Sequence, residues 1–180
     1  MNRKNRGARR VRSEHVALCV LCVVCTYVTL SAQATPSLQF RGAPPPSKHA
    51  TITTATDSAN PAPGGKVALF VDMTPNPGVH VYAPGAKDYL PVKVTLKPQT
   101  EAKAGKLTYP KSETLYFAPL NETVPVYQKA FRLAQDVTLA KSVKPGSTVT
   151  LAGTLEFQAC DDKVCFIPES VPVSWTVTVK

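Results

Sequence analysis

The stretch that decides the fold runs from Thr148 to Val179, TVTLAGTLEFQACDDKVCFIPESVPVSWTVTV. Val149, Leu151, Gly153, Leu155 and Phe157 fall on one face of an extended chain, with Thr148, Thr150, Ala152, Thr154 and Glu156 on the other. After the cysteines the alternation resumes, with Val171, Val173 and Trp175 opposed by Pro172, Ser174 and Thr176. A period of two is the mark of half-buried β-strands, so the segment reads as two long strands, with Trp175 a core residue. Between them lie Cys160 and Cys165, separated by four residues, too few for an independent helix or strand. The two thiols therefore sit in or beside one hairpin connection, close enough to bond if the backbone aims both Cβ atoms inward.

Upstream, β-branched residues dominate from His49 onward, and no stretch keeps helical spacing. Candidate strands are Ala50 to Ala55, Val67 to Met73, Val79 to Tyr82, Val92 to Leu96, Leu115 to Phe117, Val124 to Tyr127 and Ala130 to Leu133, followed by Ser147 to Phe157 and Val171 to Val179. Pro63-Gly64-Gly65, Pro75-Asn76-Pro77-Gly78, Pro84-Gly85 and Pro145-Gly146 punctuate them. Short strands with proline and glycine turns predict an all-β, antiparallel β-sandwich over residues 49–180. Residues 35–48, with Pro36 and Pro44-Pro45-Pro46, read as an extended tether.

The first 34 residues read as an export signal. Arg3, Lys4, Arg6, Arg9, Arg10 and Arg12 precede the apolar run Val16 to Leu30, and Ala32-Gln33-Ala34 offers a cleavage site after Ala34. The apolar run is shorter than the roughly 20 residues of a spanning helix. Cys19, Cys22 and Cys25 lie inside it and act as small hydrophobes. The formal charge of +9 is mostly this leader: taking six of 21 basic and one of 12 acidic residues leaves 15 against 11. The remaining lysines are spread along the chain, which argues against nucleic acid as a partner.

An exported chain lives where disulfides form. Spacing alone leaves a structural staple and a redox pair both open. A metal site is disfavoured, because the compact paired spacing of structural zinc is absent and no histidine follows Cys165. No C-x-x-C and no helix N-terminus is present to activate a thiol in the thioredoxin manner. Asp161 and Asp162, read plainly, are turn residues; as neighbours they disfavour a thiolate, which suits a relay to a chosen partner better than a general catalyst.

Leu155 to Glu169, LEFQACDDKVCFIPE, resembles the cysteine segment of the amino-terminal periplasmic domain of DsbD, the bacterial thiol-disulfide conductor. Gly78 to Tyr82, GVHVY, and Leu90-Pro91-Val92-Lys93-Val94 follow the same family's order. The resemblance implies an immunoglobulin-like sandwich in the periplasm with no cofactor, a monomer acting as a protein-disulfide reductase if it is catalytic. It implies partners among periplasmic thioredoxin-fold proteins, including those of cytochrome c maturation, and recharging by a separate membrane thiol-disulfide conductor. Cys165 would form the mixed disulfide and Cys160 would resolve it. His80 and Tyr82 match positions lining the cysteines, beside Asp161 and Asp162. A cap loop is expected near Leu107 to Lys111, with Tyr109 as its covering ring. The competing reading is an exported immunoglobulin-like binding module whose disulfide is structural.

Overall fold

The computed structural model describes residues 46–57, 60–118 and 121–180. The expected leader, its three cysteines and most of the tether lie outside the described residues. Those described form strands and turns with no α-helix. In chain order the strands are β1 (Ala50–Thr56), β2 (Lys66–Pro75), β3 (His80–Tyr82), β4 (Lys93–Leu96), β5 (Ala102–Thr108), β6 (Glu113–Phe117), β7 (Glu122–Tyr127), β8 (Phe131–Leu139), β9 (Thr148–Phe157), β10 (Ala159–Cys160) and β11 (Glu169–Thr178).

Three antiparallel sheets result, in the orders β1-β2-β8-β5, β11-β9-β4 and β10-β3-β7-β6. The first two pack on one core. Ile52, Leu69, Val71 and Leu133 come from one sheet, and Leu151, Leu155, Val173 and Val177 from the other. Each is a member of an alternating run, so one face of every long strand is buried while the other is partly or fully exposed. At roughly 25 cal/mol per Å² of apolar surface, this burial supplies most of the drive to fold. The result is the all-β, antiparallel sandwich expected from the strands and turns, immunoglobulin-like as the family resemblance implies.

β9 and β11 pair in unbroken register from Phe157↔Glu169 to Thr148↔Thr178. Trp175 is buried as expected, and its indole N–H donates to the Phe70 carbonyl at 2.9 Å. Gly153 occupies a core-facing position because β4 comes close there: a Cβ would stand 2.8 Å from the Thr95 carbonyl oxygen.

Besides the two-residue β10, two strands differ from the sequence expectation. β5 was not expected at all, since AKAGKLT has no apolar alternation. It forms because its edge position asks little of its side chains, and a bulge between Ala104 and Leu107 interrupts its pairing with β8. β8 runs six residues beyond Leu133, because Gln135 holds an inward position that sequence reading treats as a break.

Candidate functional site

The third sheet is where the cysteines meet the fold. β3 and β10 pair as Val81↔Ala159 and His80↔Cys160, and β3 continues into β7 as Tyr82↔Val126. Because successive residues alternate faces, Val81, Ala159 and Tyr127 turn toward the main core. Tyr82, Val124, Val126 and Cys160 turn the other way and make a second, smaller buried cluster. Gln158 lies between β9 and β10, at the point where the chain leaves one sheet for the other. Its side chain accepts from the Leu90 amide at 3.2 Å and donates to the Phe166 carbonyl at 3.4 Å. The glutamine before the cysteine is thus a corner post, tying the Ala83–Leu90 loop and the second cysteine leg to one strand.

Cys160 and Cys165 form a disulfide. They oppose each other across a tight hairpin closed by Asp161 N–H to the Val164 carbonyl at 3.0 Å and Phe166 N–H to the Ala159 carbonyl at 2.9 Å. Asp161 also accepts the Lys163 and Val164 amides, each at 2.8 Å, through one carboxylate oxygen. These backbone donors, Val164 first, hold its carboxyl below the usual aspartate range. The two cysteines are unequally exposed. Cys160 is fully buried, whereas Cys165 is exposed and flanked by Val164 and by Ile167, which is 86% exposed.

The Tyr82 hydroxyl donates toward both sulfurs, 3.2 Å from Cys160 Sγ and 3.5 Å from Cys165 Sγ. Desolvation first, then the Tyr89 phenol, push the Tyr82 hydroxyl well above the ordinary tyrosine value, so it stays a proton donor. The Tyr89 ring stacks on Tyr82 at 4.0 Å between centroids, and the Tyr89 hydroxyl donates to Glu122. Sequence reading missed both Tyr89 and Glu122. Tyr109, expected as the covering ring, packs against the main core, and Leu107 and Thr108 pair with β8; the ring stacked on Tyr82 is that of Tyr89. A tyrosine beside an Asp in a Gly-containing loop was the available signal, and it is a weak one.

His80 is buried, edge-on to Tyr82 at 5.4 Å. Burial lowers its pKa, opposed by the Asp161 charge, and the imidazole is neutral at ordinary pH. Asp161 and Asp162 line a cleft beside it. On the far side of the cysteine leg, His49 stacks on Phe166 at 3.9 Å, and its Nδ1 lies 2.6 Å from Glu169. Burial opposes ionisation of Glu169, but the His49 ring, the Lys48 amide and Ser47 outweigh it and lower its pKa. The Pro-Glu after the second cysteine is therefore a clasp onto the start of β1. Among the described residues no three His, Cys, Asp or Glu side chains stand together as a metal-holding group.

The profile of the family described as "Thiol:disulfide interchange protein DsbD, N-terminal" matches residues 50–174. Two solved structures are similar. The reduced DsbD n-terminal domain of Neisseria meningitidis has 17% identity and a TM-score of 0.44, over 62% of this chain and 78% of that one. The N-terminal periplasmic domain of ScsB from Proteus mirabilis has 16% identity and a TM-score of 0.49, over 71% of this chain and 47% of that one. No curated protein matches the sequence.

Proposed function

Since the chain belongs to the DsbD amino-terminal domain family, a family of thiol-disulfide exchange, we propose that it is a periplasmic carrier that passes electron pairs through Cys160 and Cys165. The donor is a membrane thiol-disulfide conductor and the acceptors are thioredoxin-fold proteins. The observation that carries this reading is the unequal exposure of the two cysteines, Cys165 exposed and Cys160 buried beside the Tyr82 hydroxyl.

In the charging direction a donor thiolate attacks Cys165 Sγ, the only sulfur of the pair open to it. The Cys160–Cys165 bond breaks, and Cys160 leaves as a thiolate that the Tyr82 O–H is placed to stabilise. The donor's second thiol then attacks the mixed disulfide, so the donor leaves oxidised and Cys165 takes its proton as a thiol. Two electrons have moved and both protein cysteines are reduced. Discharge is the reverse: Cys165 attacks the disulfide of the acceptor and Cys160 resolves the mixed disulfide. Tyr89 and Glu122 act through Tyr82 as positioning residues, holding its ring flat and its hydroxyl at the sulfurs. The basic leader and the apolar run that follows would deliver the domain to the periplasm, with residues 35–48 as its tether.

The Cys160→Ser variant tests the roles. With its resolving thiol gone, it is expected to accumulate a mixed disulfide through Cys165 with a thioredoxin-fold protein of the periplasm, recovered by pull-down and identified by mass spectrometry. Recovery of homodimer alone would remove the carrier reading and leave an exported domain with a structural bond.

A further inference from the structure

The chain leaving Cys165 passes through Phe166, Ile167 and Pro168 before it enters β11 at Glu169, and none of the three belongs to a strand. Near the sulfur this leg is held by the Phe166 amide on the Ala159 carbonyl and by the Gln158 side chain on the Phe166 carbonyl. A further hold comes from the start of the domain. The His49 ring lies flat on Phe166, 3.9 Å between centroids and 16° from parallel, and its Nδ1 is 2.6 Å from Glu169 Oε1. The Lys48 amide donates to the second carboxylate oxygen at 3.1 Å. His49 thus grips the leg at both ends, on the residue next to Cys165 and where β11 begins. The grip is itself anchored: the Asn76 amide donates to the His49 carbonyl and the Asn76 side chain to the Lys48 carbonyl, each at 2.9 Å. Ser47 Oγ accepts the His49 and Ala50 amides at 3.4 and 3.2 Å.

We propose that His49 is a positioning residue for the redox pair: by clasping Phe166 and Glu169 it keeps Cys165 near Cys160 in the reduced protein and so favours closure of the disulfide. The proposal rests on the carrier reading and concerns how readily the pair gives up its electrons. Its basis is conformational entropy. In the oxidised protein the sulfur–sulfur bond itself ties the leg to β10, so the clasp adds little order there. Once that bond opens, the clasp and the two contacts near the sulfur are what hold the leg. Without the clasp the open leg samples more conformations, all but a few of which must be given up each time the bond forms. Two thiols held in place close as a unimolecular step, and loosening one of them lowers its effective concentration at the other. Loss of His49 therefore makes the pair a weaker reductant.

The test equilibrates the protein with glutathione buffers and reads its oxidised and reduced fractions by alkylation and mass. Each protein disulfide formed consumes one oxidised glutathione and releases two reduced ones, which defines the equilibrium constant. In His49→Ala that constant is expected to fall about 3- to 10-fold. His49→Phe keeps a ring for Phe166 and loses the bond to Glu169, whereas His49→Gln keeps a donor for Glu169 and loses the ring. Both are expected to lie between His49→Ala and the wild type. Gln135→Leu, whose native side chain bonds the Gly105 carbonyl on β5, is expected to leave the constant unchanged, which separates positioning from general loss of stability. An unchanged or raised constant in His49→Ala, no recovery in either partial variant, or an equal fall in Gln135→Leu would overturn the role of His49 while exchange itself stands. A wild-type disulfide that no glutathione or dithiothreitol buffer opens would instead remove the carrier reading, and this proposal with it.

Discussion

Tyr82 does at the scale of one residue what no feature of the backbone could do, since its hydroxyl stands within reach of both sulfurs. A hydrogen bond to a charged group is worth about 1.5–3 kcal/mol, and it grows as Cys160 becomes a thiolate leaving group. The Tyr82→Phe variant keeps the ring that stacks on Tyr89 and removes only the donor. It is expected to slow reduction of the disulfide by a small-molecule thiol about tenfold, with far-ultraviolet circular dichroism unchanged. An unaltered rate would mean that the hydroxyl merely fills space. Tyr82 was legible in the sequence because it stands two residues from His80 on a recognisable motif. Tyr89 was not, because its place over Tyr82 depends on the path of the loop from Ala83 to Leu90, and no periodicity records a loop's path.

Among the elements, β8 and β5 explain each other. The bulge in β5 takes the Gly105 carbonyl out of regular pairing, and Gln135 of β8 donates its side-chain amide to that oxygen at 2.9 Å. A polar residue at a buried strand position is thus the partner of an irregularity in the neighbouring strand. Gln135→Leu is expected to lower the unfolding free energy by about 1–2 kcal/mol, read from urea denaturation, because it leaves that carbonyl unanswered. Greater stability in the variant would mean the amide is not needed there. The same pair shows why strand reading by alternation stopped short: Gln135 interrupts the apolar period, and β5 never had one. Where alternation is clean, as in β9 and β11, the expected faces and the observed ones coincide.

At the scale of the molecule, the disulfide is an accessory to the fold. The chain-entropy cost of so short a ring gives a stabilisation of only about 2 kcal/mol, small beside a core drawn from two full sheets. The reduced protein is expected to unfold cooperatively and only a few degrees below the oxidised one, as followed by thermal unfolding with and without dithiothreitol. A reduced chain already unfolded at room temperature would fit a structural staple instead of a carrier that must be folded in both states.

Alternation, turn signals and the cysteine spacing by themselves determined an antiparallel β-sandwich, the core faces of β9 and β11, and that Cys160 and Cys165 share one hairpin. These are local properties, decided by neighbours a few residues apart. Only the tertiary structure decided which cysteine is buried, which hydroxyl meets its sulfur and what lines the cleft beside it. The physical reason is separation along the chain: Tyr82 reaches the sulfurs, with Tyr89 stacked on it and Glu122 bonded to Tyr89, because the strand crosses from one sheet to the next at Gln158. That crossing sets Tyr82 against Cys160, 78 positions away.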